Sequence, residues 1–334
     1  MARFGVRLDN NGRFTPRDYA ALASLAESRG YEVVWVPEGG GFDAVSQLAS
    51  IAENTQSINL ATGILPVFSR TPMAIAMAAA GLSSVSRGRF ILGLGVGHQP
   101  SVEGRDGVAF KEPMARLQET MQIAKGLLAG DLVTHHGRVF DLSNASLGAA
   151  APAGKVPIFI AALRPRMLEL AGELADGVLL NWTASDYLQQ AIQQISKGAA
   201  KAGRDPSEIV ISGYVRVAVV DDNDSSLDSA RQDLQGQIAG YASNYFYRSF
   251  FEQSGFAVEM AAAQTAMERG DAAAAARAIT LEMQDQVAVV GSREHCQSEV
   301  EKRRSLGLQV PVIAPFPVGD VMTSYQRTIE AFRA

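Results

Sequence analysis

The chain has a single cysteine, Cys296, among 334 residues. One thiol excludes an internal disulfide and a cysteine-rich metal centre, and it suits a reducing compartment such as the cytoplasm. Basic charge is not in excess either, with 30 Lys+Arg against 35 Asp+Glu and a formal net charge of -5. The broad cationic face that binds a phosphate backbone is therefore missing, and nucleic acid is not expected as a partner. No uninterrupted apolar run approaches the roughly 18 residues of a membrane span, and no secretory leader is expected behind the opening MARFGVRLDN. A Walker A loop, a G-x-S-x-G elbow and an H-E-x-x-H pair are all missing. His135, His136 and His295 lack ligand spacing, so no metal site is expected.

What the chain does have is apolar residues, 47% against 19% charged, arranged in an alternating rhythm. Short apolar runs at Phe4 to Leu8, Val33 to Val36, Ile58 to Ile64 and Phe90 to Leu94 read as strands. Amphipathic stretches separate them, and the first opens on Thr15-Pro16-Arg17-Asp18, a cap, a proline at the first helical position and an acid in the first turn. Asp43 is placed to cap a helix to Asn54. A small hairpin is expected around His136-Gly137-Arg138, after which Ile158 to Ala161, Val178 to Leu180, Ile209 to Val220 and Gln309 to Ala314 complete eight strands. Eight strands, each followed by helical sequence, predict a single α/β domain over residues 1–334, a (β/α)8 TIM barrel. Residues 221–286 have helical composition and form an insertion after strand seven, expected as a lid or substrate wall.

In such a barrel the chemistry sits at the carboxyl ends of the strands. Glu38 follows strand two and precedes Gly39-Gly40-Gly41, which places a carboxylate at the mouth; a solvated loop acid is the plain alternative. Gly63 opens a loop with two prolines, Pro66 and Pro72, built for an unusual turn or simply for packing. Gly93, Gly95 and Gly97 strip the end of strand four of side chains and leave His98 at its tip, as a catalytic or a structural histidine. After strand five, Arg164 and Arg166 flank Pro165. Arginines in a first helical turn oppose the dipole unless an anion is present, which favours a docked phosphate. The aromatic residues Tyr241, Tyr245, Phe246, Tyr247, Phe250 and Phe251 of the insertion serve either as core or as a cover over an apolar substrate.

These strand ends, together with Ser86-Arg87-Gly88-Arg89-Phe90-Ile91-Leu92-Gly93-Leu94-Gly95, Glu169-Leu170-Ala171-Gly172-Glu173-Leu174-Ala175-Asp176-Gly177 and Val290-Gly291-Ser292, resemble the bacterial-luciferase-like flavin and deazaflavin oxidoreductases, and more narrowly the branch that uses coenzyme F-420. The resemblance implies a bulge after strand three with a non-proline cis peptide at Gly63-Ile64, and Gly63, Ile64 and Leu65 backing the cofactor ring. It also implies Val96, Gly97 and His98 along the cofactor, and Leu163, Arg164 and Arg166 at its phosphate, where many relatives have a Gly-rich or Gly-Pro-Lys turn instead. Some relatives have an Asp-His pair after strand two, where this chain has Glu38-Gly39. The implied activity is hydride transfer between F-420 and a small organic substrate, with Glu38 and His98 as candidates for proton handling. The alternatives are an FMN-dependent monooxygenase served by a separate reductase partner and a non-catalytic flavin-binding protein. A homodimer is implied as the assembly.

Overall fold

The computed structural model describes residues 3–220 and 225–333. Eight strands form the barrel: β1 (Gly5–Arg7), β2 (Val33–Val36), β3 (Asn59–Thr62), β4 (Phe90–Gly95), β5 (Ile158–Ala161), β6 (Gly177–Leu180), β7 (Val210–Val219) and β8 (Val310–Pro315). Each pairs in parallel with the next, and β8 returns to β1 with Val312 opposite Gly5, which closes the sheet. Val, Ile and Leu dominate strands buried on both faces, as a parallel sheet wrapped in helices demands.

The covering helices start where their capping residues predict. Helix α1 (Pro16–Ser28) has the full capping box between Thr15 and Asp18, and α2 (Ala44–Asn54) is capped by Asp43, which accepts from the Ser46 N–H at 2.8 Å. Next come α3 (Pro72–Val85), α4 (Pro113–Ala129), α5 (Pro165–Leu174), α6 (Ser185–Lys201), α7 (Arg293–Ser305) and α8 (Val321–Ala331). Helices α5 and α6 touch backbone to backbone, because Gly172 and Gly198 face each other's chain: a Cβ on them would lie 2.0 Å from the Ile195 carbonyl oxygen and 1.9 Å from that of Glu169. The expected hairpin is present, pairing Val133–His136 with Asp141–Ala145. Its turn hangs on the Glu119 carboxylate, which accepts from the N–H groups of Arg138 at 2.8 Å and Phe140 at 2.9 Å.

The insertion is helical, with segments Ser225–Gly240, Tyr245–Phe251, Ala257–Glu268, Ala272–Arg277 and Leu281–Val287; its aspartate-rich start, 221–224, lies outside the described residues. It ends in a strand the sequence reading missed. Ala288–Gly291 pairs in parallel with the upper part of β7, Arg216 opposite Ala288 and Val219 opposite Gly291. The cause is a length mismatch, since β6 stops with Leu180 opposite Gly213 while β7 runs on to Val219, leaving a ladder edge to be filled.

Inside the barrel Val33, Trp35, Ala61, Phe159, Leu179, Tyr214, Val310, Val312 and Ala314 form one apolar cluster. The register places Arg7, Ala314 and Arg216 one layer above Gly5, Val312 and Tyr214, nearest the carboxyl ends. That upper layer is uneven: glycine and alanine (Gly63, Gly95, Ala161) line it at β3 to β5, while Arg7, Asn181 and Arg216 line it at β1, β6 and β7.

Candidate active site

The small-residue side of the mouth is built around a bulge. Ala61 of β3 pairs with Ile91, but the next pairing joins Leu65 to Leu94, so β3 spends one residue more than β4 between the two. Thr62 stands in for the lost ladder, its hydroxyl accepting from the Gly93 N–H at 2.8 Å and donating to the Gly93 carbonyl at 2.9 Å. The Gly63-Ile64 peptide in the bulge is cis. Tyr214 reaches across the barrel from β7 and donates its phenol to the Gly63 carbonyl at 2.8 Å, and burial raises its pKa, so the phenol keeps its proton. At the end of β4, Gly97 adopts φ 70°, a left-handed conformation natural to glycine, and a Cβ there would also meet Pro66 at 3.3 Å. Two of the expected segments, Gly63 to Leu65 and Val96 to His98, therefore adjoin, and the strand β5 that leads into the turn of Leu163, Arg164 and Arg166 is the next neighbour of β4.

The two acid–base candidates have different surroundings. Glu38 is engaged at both oxygens, accepting from the Ala44 N–H at 2.7 Å and from Arg70 at 3.1 Å, with Asp43 on the same guanidinium. Its backbone N–H also donates to the Ile64 carbonyl at 3.1 Å. Gly39 and Gly41 are glycines because Asn10 presses on them: a Cβ would lie 2.8 Å from the Asn10 carbonyl oxygen at the first and 2.6 Å from its side-chain oxygen at the second. That packing explains Gly39 and Gly41, while a Cβ on Gly40 would meet nothing within 4 Å. His98 opens the short helix Gln99–Gly104, its ring 5.1 Å from that of Tyr247, and no hydrogen bond joins it to Glu38 among the described residues. Desolvation beside these rings lowers its pKa below the ordinary imidazole value.

A histidine with a lowered pKa contributes stability that is present above its unfolded value, about 6.5, and lost as pH falls through the folded value. The wild type should therefore lose more stability between pH 7 and pH 5 than His98→Gln does. Urea midpoints at the two pH values check this, and equal losses would mean the ring is fully hydrated.

At the head of α5, Arg164 is half-buried and 5.9 Å from the ring centre of Tyr245, Arg166 is exposed, and neither forms an ion pair among the described residues. The helix start has no side-chain cap. Two guanidiniums without an ion pair thus sit at the positive end of a dipole, where the N–H groups of Met167 and Leu168 already bond the Arg164 carbonyl, and the charge they bring suits a phosphate.

The polar side of the mouth was not singled out in the sequence. Arg7 pairs with Asp9 at 2.5 Å, and Arg216 donates to the Asn181 side-chain oxygen at 2.9 Å, whose amide in turn donates to the Tyr247 hydroxyl at 2.9 Å. The Arg216 guanidinium lies 3.3 Å from the ring centre of Trp182, and Trp182 holds φ 54°, rare for a bulky residue and costing about 1 kcal/mol. Burial brings the pKa of Arg216 down to about 10, so it remains charged at neutral pH. The signal available in the sequence was a charge at an inward position of the apolar strand Val215-Arg216-Val217.

A family model described as luciferase-like monooxygenase matches residues 1–309. The chain belongs to that family. Among its luciferase-like relatives, the 5,10-methylenetetrahydromethanopterin reductase of Methanolobus tindarius is 31% identical over 92% of this chain and 93% of its own. The F-420-dependent glucose-6-phosphate dehydrogenase of Amycolatopsis mediterranei is 30% identical over 66% of this chain and 70% of its own. The solved structure of the coenzyme F-420 dependent tetrahydromethanopterin reductase from Methanopyrus kandleri overlays with a TM-score of 0.80 at 22% identity, covering 98% of this chain and 97% of that one, and shares the luciferase-like barrel.

Proposed function

We propose that this chain is a coenzyme F-420-dependent oxidoreductase that moves a hydride between the coenzyme and a small organic substrate at the barrel mouth. The likeness to a relative named as F-420-dependent, at 30% identity, carries this reading. The mouth fits the group, since Arg164 and Arg166, without ion pairs among the described residues, answer a phosphate at a helix start with no side-chain cap, and the bulge with Ile64 over Gly95 offers an apolar backing for a ring. When bound, the coenzyme supplies or accepts the hydride.

The residues then divide the remaining work. Gly63, Ile64 and Leu65 back the ring, with the Gly63 carbonyl held by Tyr214; Val96 and Gly97 run along its edge, and Leu163, Arg164 and Arg166 hold the phosphate. His98 moves the proton that accompanies the hydride, because its ring nitrogens have no hydrogen bond among the described residues. Glu38, tied to Arg70 and to the start of α2, holds the loop that meets the bulge. The helices of 225–287 wall the substrate side: Phe250 and Phe251 are core, Tyr247 faces His98, and Tyr245 is 59% exposed at the rim. A homodimer is the proposed assembly, with Met77 of the apolar helix α3, 60% exposed, available to a second copy.

Fluorescence titration of the apoprotein with F-420 and with FMN tests the reading. Micromolar affinity for F-420 and none for FMN is the expected result. The reverse result would replace the proposal with an FMN-dependent monooxygenase that needs a reductase.

A further inference from the structure

We propose that the floor of the mouth holds a carboxylate-binding position built on Arg216, and that the substrate of this chain carries a carboxylate. This rests on the reading of the mouth as the place where coenzyme and substrate meet. Arg216 projects inward from β7 in the uppermost layer and is only 7% exposed. Its two partners, the Asn181 amide oxygen at 2.9 Å and the Trp182 ring at 3.3 Å, carry no charge. Among the described residues no carboxylate lies within ion-pair distance of it; Asp9, on the same side of the mouth, is taken by Arg7.

A guanidinium removed from water without a counter-ion is among the most unfavourable groups a fold can retain. Here the fold both retains it and holds Trp182 in a left-handed conformation beneath it. With one Nη committed to Asn181, the planar fork keeps donors for a second, bidentate partner, and a carboxylate matches that geometry. One positive charge without a carboxylate partner among the described residues calls for a monoanion, whereas Arg164 and Arg166 form a pair at the head of α5, suited to a phosphate. Across the mouth from Arg216 the neighbours are uncharged, the Ile64 side chain lying over Gly95 and Ala161 and the Tyr214 hydroxyl against Gly63.

The indole beneath the guanidinium is a built-in reporter. Tryptophan emission of the apoprotein is followed during titration with sodium butyrate and, at matched ionic strength, with butyramide, its neutral counterpart. Butyrate should give a saturable change, and butyramide should bind at least about tenfold more weakly. The same loss is expected for butyrate with R216Q, with partial recovery in R216K, while R164Q/R166Q should bind butyrate as the wild type does. No saturable response to butyrate, equal binding of butyramide by the wild type, or loss of the response in R164Q/R166Q would each overturn the proposal. The first two need no variant and so do not depend on how R216Q folds.

F-420 titration of R216Q separates the two possible sources of the anionic oxygen. Affinity within about twofold of wild type keeps Arg216 on the substrate, whereas a tenfold loss would assign it to the coenzyme and overturn the proposal. If the wild type binds no F-420, the oxidoreductase reading fails, and the butyrate titration still decides whether Arg216 is a carboxylate site.

Discussion

Reversing both charges at the head of α5, in the variant Arg164→Glu/Arg166→Glu, should weaken F-420 binding by about a hundredfold or more while leaving the fold as stable as before. A hydrogen bond to a charged group contributes about 1.5–3 kcal/mol, so two lost contacts alone reach that range, and two carboxylates facing a phosphate add repulsion. Stability should not fall, because neither arginine has an ion pair among the described residues. Glutamates in the first turn of a helix are also better placed against its dipole than arginines are. Fluorescence titration with F-420 and thermal unfolding of the same samples check both halves. Affinity within about twofold of wild type would remove these arginines from the site.

Gly93→Ala should cost about 2–4 kcal/mol of stability, read from urea unfolding. The added Cβ would lie 1.9 Å from the Thr62 carbonyl oxygen and 3.2 Å from the Trp35 ring. Neither can withdraw, since Thr62 is bonded to Gly93 at both its N–H and its carbonyl and Trp35 is fully buried in the barrel. Gly81→Ala is the matched control: it lies on an exposed position of α3 with nothing within 4 Å of a Cβ, so alanine there should stabilise by up to about 1 kcal/mol. If both substitutions had the same effect, the close contact at the bulge would not matter to the fold.

The barrel was legible because its signals are local. Thr15, Asp18 and Asp43 act on N–H groups within their own first turn, and each of the eight barrel strands shows as its own apolar run. Ala288–Gly291 was hidden because four apolar residues at the end of a helix carry no period of their own; only the overhang of β7 makes them a strand. The site divides in the same way. The turn after β5 and the glycines of β4 stand out in sequence, since a residue type against its local expectation is visible there. Glu38 was legible as a residue at the mouth, but Arg70 and the Ala44 N–H, which define what its carboxylate does, come from elsewhere in the chain. Arg216 was passed over because its meaning lies in Asn181 and Trp182, contributed by the turn after β6.

The pairing of Val219 with Gly291 bears on how this chain diversifies. The chain leaves the barrel after Val219 and returns as Ala288–Gly291 beside the last four residues of the same strand, so both ends of the excursion are anchored on β7. Closing a flexible loop of twice the length would add only about 0.6 kcal/mol of entropy. The helices between these two strands can therefore be exchanged as a cassette, with β7 and its inward-facing Tyr214 and Arg216 undisturbed and without redesign of the barrel.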